Sequence, residues 1–139
     1  MTIDDQRVDV AVILIDGEEL ISALRPHELP FAKREGHPGI AGAYSYLPAQ
    51  IARDHLLPKD DNLDDDGRIA ILSCSCCDFI GCWPLMVRIT VDDNTVRWED
   101  FEQPHRSEHS AAERWAYEGF GPFVFDRKSY EDAVNALNG

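Results

Sequence analysis

The fold is read from Pro84-Leu85-Met86-Val87-Arg88-Ile89-Thr90-Val91-Asp92-Asp93-Asn94-Thr95-Val96-Arg97-Trp98-Glu99-Asp100-Phe101. From Pro84 to Asp92 the pattern alternates. Leu85, Val87, Ile89 and Val91 face one way, and Met86, Arg88 and Thr90 face the other. Successive side chains of a strand point to opposite faces, so this is a half-buried strand. Asp93-Asn94 is a short turn, and Thr95 to Phe101 returns as a second strand. Upstream, Ile69 to Cys76 is a third strand-sized apolar run. Together they predict a three-stranded antiparallel meander.

The flanking chain supplies helices and further strands. Val8 to Ile15 reads as a strand, buried on both faces in its second half. Asp16-Gly17 admits two readings, a hairpin turn or a helix start with Asp16 as N-cap and Glu19 at the capping-box position. Leu20, Ile21 and Leu24 follow at helical spacing, which favours a helix ending near Arg25 with Pro26 as its stop. Residues 26–47 hold three prolines and three glycines and read as a long irregular segment, a setting in which function often sits. A helix is expected from Pro48 to Leu57, with Leu47, Ile51 and His55 on one face. Residues 59–67 form an acidic loop. Ser110-Ala111-Ala112-Glu113 is a capping-box pattern that opens a short helix. Gly121 to Phe125 is a short strand, and Asp126 caps a terminal helix bearing Tyr130, Ala133, Val134 and Leu137 on one face. The expected class is α+β: a mostly antiparallel sheet, with the meander at its centre and helices packed on it, in a single domain over residues 1–139.

Charge narrows the partners. The net charge is −13, and Lys and Arg are not clustered. Phosphate backbones and anionic membrane surfaces are bound by such clusters, so neither nucleic acid nor membrane is an expected partner. A basic protein is the partner that this charge suits. No apolar run approaches the ~20 residues of a membrane span. The acidic start Met1-Thr2-Ile3-Asp4-Asp5 is unlike a signal peptide, so a cytoplasmic protein with reduced cysteines is expected.

All four cysteines fall in Cys74-Ser75-Cys76-Cys77-Asp78-Phe79-Ile80-Gly81-Cys82. Alternation places Cys74 and Cys76 on one face, and a turn at Phe79-Ile80-Gly81 would bring Cys82 back beside them. With His105 these thiols make a candidate metal set: Cys74, Cys76, Cys82 and His105. Zinc takes four nitrogen or sulfur ligands in a tetrahedron, and is the metal this set would suit. No cofactor is otherwise expected. The same cysteines also read as small buried hydrophobes, as a reactive thiol, or as a disulfide.

Two motif matches fail on context. Residues 62–73 follow a calcium loop through Gly67 and Ile69, but place Ser73 where a bidentate Glu belongs. His105-Arg106-Ser107-Glu108-His109 fits His-x-x-Glu-His, yet it precedes the helix that this chemistry needs. Trp83, Trp98 and Trp115, with Tyr117 and Phe120, read either as core or as the lining of a pocket.

Gly81-Cys82-Trp83-Pro84-Leu85, Val96-x-Trp98-x-x-Phe101-x-Gln103-Pro104-His105-Arg106 and Gly121-Pro122-Phe123-x-Phe125-Asp126 resemble, as a string, a family of small bacterial proteins. The resemblance covers roughly residues 69–130 and implies a shared fold there. It implies no activity, substrate or cofactor, and Cys77 departs from its Cys-x-Cys pattern. It directs attention to Gln103, His105 and Arg106, a polar string just after a strand, with Trp83 and Trp98 as further ligand-binding candidates. The plainer reading has Arg106 pairing with a carboxylate and Gln103 satisfying backbone. The favoured expectation is a non-enzymatic binding module. The alternative is a small metal-binding or thiol-dependent enzyme at the Cys/His set.

Overall fold

The computed structural model describes residues 2–4, 10–57, 67–74, 83–106 and 114–137. Its larger sheet has five antiparallel strands in the order β4-β5-β6-β7-β8. These are β4 (Tyr44–Tyr46), β5 (Ile69–Cys74), β6 (Leu85–Val91), β7 (Thr95–Glu102) and β8 (Phe123–Asp126). The predicted meander is β5-β6-β7, at the centre. A smaller antiparallel sheet joins β1 (Thr2–Asp4), β2 (Val12–Ile15) and β3 (Glu18–Glu19). Three helices complete the described residues: α1 (Leu20–Arg34), α2 (Ala49–Leu56) and α3 (Arg127–Asn135). The fold is α+β. No helix among the described residues is long and apolar enough to cross a membrane.

The hairpin β6–β7 is tight because Asp92 N–H bonds to Thr95 O across Asp93-Asn94. Its register pairs Val91 with Val96 and Ile89 with Trp98. The pairing then slips by one residue, so that Met86 faces Glu102, and Asp100 sits at the slip with φ +56°. This is a β-bulge. Before it the buried residues are Val96 and Trp98, at even positions; after it they are Phe101 and Gln103, at odd positions. The extra residue therefore keeps the core face continuous and turns Gln103 inward.

Three expectations on the N-terminal half are corrected. Asp16-Gly17 is the hairpin turn rather than a helix start. Asp16 has φ +53° and Gly17 φ +82°, the paired positive values of a two-residue turn between β2 and β3. The helix then starts at Leu20 without a side-chain cap and runs on to Arg34, through Pro26 and Pro30. Both prolines lie on the exposed face, four residues apart. The carbonyls that lose a donor belong to Ser22 and Pro26, also exposed, where solvent can replace the missing bond. The buried stripe Leu20, Leu24, Glu28 and Ala32 holds the helix to the core despite them. Gly36 ends it at φ +80°: its N–H bonds to Lys33 O at 2.9 Å, and His37 N–H bonds to Ala32 O at 2.9 Å. So residues 26–47 are not one irregular segment, since they hold the second half of α1, a turn of 3-10 helix at Pro38–Ile40, and β4.

Elsewhere the sequence reading is closer. Asp126 caps α3, accepting the Ser129 N–H at 2.9 Å, and Tyr130, Val134 and Leu137 are buried as expected. Helix α2 packs on β5 and on α3. It buries Ala49, Ala52 and Leu56, while Ile51 and His55 are only half-buried. Of the acidic loop of residues 59–67 all but Gly67 lie outside the described residues, as does the capping box at 110–113.

Candidate functional site

Gln103 leaves β7 and Pro104–Arg106 follows as a turn of 3-10 helix. Gln103 is fully buried, and its amide is saturated. Nε2 donates to Pro84 O at 2.9 Å and to the Tyr44 hydroxyl at 3.3 Å. Oε1 accepts the His105 N–H at 3.1 Å. Tyr44 donates in turn to Glu28 Oε2 at 2.5 Å. Tyr117 donates to the same oxygen at 2.5 Å, and Gly42 N–H to Oε1 at 2.8 Å. One buried carboxyl thus gathers helix α1, strand β4, the 38–42 turn and the segment before β8.

Glu28 is 0% exposed, Tyr44 5% and Tyr117 4%. Burial pushes the Glu28 carboxyl above its ordinary 4.5, against the hydrogen bonds from Tyr117, Tyr44 and Gly42. Burial and the nearby carboxylate push both phenols well above 10, so they stay protonated and remain donors. His27, next to Glu28 in sequence, stacks on Tyr117 with centroids 5.4 Å apart and planes inclined by 27°, and its Nε2 donates to Ala116 O at 2.8 Å.

Beside this network lies a second one, partly exposed. Arg106 Nε donates to both oxygens of Glu35 at 3.0 Å, and Trp115 Nε1 donates to Oε2 at 2.6 Å. The guanidinium lies over two indoles, 5.2 Å from the Trp83 ring and 5.9 Å from Trp115. Burial raises the Glu35 pKa, but the Arg106 and Trp115 hydrogen bonds and the Arg106 charge outweigh it and hold the carboxyl below 4.5. His105 is exposed and stacks on Trp83 with centroids 5.7 Å apart and planes within 5°. The Trp83 Nε1 is buried and has no hydrogen-bond partner among the described residues.

The structure therefore brings together Trp83, Gln103, His105 and Arg106 of the sequence-predicted set. Trp98 is elsewhere. It is 0% exposed, packs edge-on against Phe125 and Tyr130, and donates from Nε1 to the Tyr130 hydroxyl at 3.2 Å. It is a core residue. Arg106 does pair with a carboxylate and Gln103 does satisfy backbone, as the plainer reading held. Glu28 and Glu35 were missed. For Glu28 the signal was present: it sits four residues from both Leu24 and Ala32, a charge on the apolar stripe of a helix.

Of the candidate metal set, Cys74 is half-buried at the end of β5, opposite Tyr44, and Cys76 and Cys82 lie outside the described residues. Among the described residues no group of three His, Cys, Asp or Glu side chains is placed to hold a metal ion. His109 of the His-x-x-Glu-His string is also outside them. No protein-family model matches the chain, and no curated protein or solved structure is detectably similar to it.

Proposed function

We propose that the protein is a non-enzymatic binding module for a basic protein partner, which it engages at the exposed His105–Trp83 stack. One observation carries the reading: the flat stack of an exposed imidazole on an indole, set on a base held by the hydrogen bonds of Gln103 and Arg106. Gln103 and Arg106 spend their polar atoms on Pro84, Tyr44 and Glu35, so they orient the stack rather than act on a substrate. The exposed imidazole offers a partner's arginine or lysine an acceptor nitrogen and a flat ring to pack on. The net charge of −13 draws such a partner in.

Immobilised wild-type protein is expected to retain a basic polypeptide that elutes as salt rises. His105→Ala, with an unchanged circular dichroism spectrum, should lose it. Equal retention by wild type and His105→Ala would end the assignment of this surface.

A second reading keeps the Cys/His set, and the topology favours it. Strand β5 ends at Cys74, and Trp83 immediately precedes the Pro84 that contacts Gln103. The segment carrying Cys76 and Cys82 thus leaves and re-enters the sheet at the end that bears His105. On this reading purified protein contains one equivalent of zinc, and both Cys82→Ser and His105→Ala lose it. Metal analysis of the three proteins decides the matter, and zinc content unchanged in both variants would dismiss the set.

A further inference from the structure

A cleft of about 410 Å³ opens between α1 and the 38–44 segment, and neither His105 nor Trp83 lines it. Apart from Arg25 its lining side chains are apolar or aromatic, Leu29, Pro38, Ala41, Ala43 and Tyr44, and polar groups make up nearly as much of its surface as apolar ones. Among the described residues one charged side chain lines it, Arg25. Arg25 is exposed and makes no hydrogen bond, ion pair or ring contact with the described residues.

That lack of a partner distinguishes this cleft. The cleft near Phe101 carries Arg68, which is tied to Asp100 O and Glu102, and Arg114, which is tied to Glu118. The cleft at the start of α3 holds Arg127 and Lys128, paired with Glu131 and Asp132. In a chain of net charge −13 an arginine has many carboxylates to find, and among the described residues no carboxylate lines the cleft of Arg25. Its stem is also held in place. Gly42 packs against it so closely that a Cβ there would lie 3.0 Å from Arg25 Cβ and 3.2 Å from Nε. Gly42 in turn is fixed by its N–H bond to Glu28.

We infer that this cleft binds a small organic monoanion, an apolar body bearing one carboxylate, with Arg25 taking the carboxylate. The volume falls within the roughly 300–1,000 Å³ of small-molecule sites. A planar guanidinium with parallel N–H donors matches a carboxylate. A single arginine among apolar side chains suits one negative charge; a dianion would meet the field of the whole protein with too few donors.

Hexanoate, hexylammonium and inorganic phosphate, each titrated at constant pH and ionic strength against ¹⁵N-labelled protein, test the inference. Hexanoate should give saturable amide shifts confined to residues 25–29 and 38–44, and the other two should not. Arg25→Gln should weaken hexanoate by about tenfold or more, the loss of a charge-assisted hydrogen bond. Arg25→Lys, which keeps the charge but not the parallel donors, should weaken hexanoate less than Arg25→Gln does. Equal affinity for Arg25→Gln and wild type, saturable binding of hexylammonium, or hexanoate shifts elsewhere in the molecule would overturn it. Loss of partner capture in His105→Ala leaves this result unaffected, so the two readings stand or fall separately.

Discussion

Glu28→Ala is expected to lower stability by about 3–5 kcal/mol, because it strands two buried phenolic donors and the Gly42 N–H and leaves a hole. Glu28→Gln keeps an acceptor and the volume, and should lose about 1–2 kcal/mol. The pH dependence has an unusual sign. The folded-state pKa of Glu28 is raised above 4.5 by burial. Above the raised value the carboxyl is ionised in both states, and the folded state carries the cost of burying the charge. As pH falls from that value towards 4.5, the folded state takes up the proton first, so stability rises. Below 4.5 both states are protonated and the contribution is complete. Subtracting the Glu28→Gln urea midpoint from that of wild type at each pH isolates this component. A difference that is flat with pH would contradict the burial argument. Glu35 gives the opposite sign: its lowered pKa contributes stability above 4.5 that is lost as pH falls through the lowered value.

Trp98→Ala should cost about 3–5 kcal/mol, the usual range for emptying a large aromatic site in a core. The ring fills space between Phe125 and Tyr130, with centroids 5.0 and 6.1 Å away. Its N–H also holds the Tyr130 hydroxyl, which donates to Leu56 O, so the change unfastens α3 from the end of α2. Urea unfolding followed by far-ultraviolet circular dichroism reads the loss. A variant that keeps wild-type stability but fails to capture the partner would return Trp98 to the binding surface.

The meander was legible because alternation in Leu85–Val91 is a local signal that tertiary context only reinforces. Asp126 was legible as a cap for the same reason: its partner is three residues away. Helix α1 was misread where a local rule met long-range packing. Pro26 reads as a stop, yet it sits on the solvent side of a helix whose other side is buried. Stopping there cut the stripe after Leu24 and hid Glu28. The Gln103–His105–Arg106 string could be found, since it is short and follows a strand. Its dependence on Glu28 and Glu35 could not, because those carboxylates lie far off in sequence, Glu35 being 71 residues from Arg106, and their burial is a property of the assembled core.

The slip at Asp100 makes residue count a requirement of its own. The exposed Asp93-Asn94 tip tolerates a longer connection, since nothing buried depends on its phase. Between Trp98 and Gln103 one added residue, with the single slip kept, reverses the alternation and swings the amide of Gln103 to the charged side, away from Pro84 and Tyr44. Every side chain there would be unchanged in kind, and the support under the imidazole would still be gone. Length in that short span matters as much as composition.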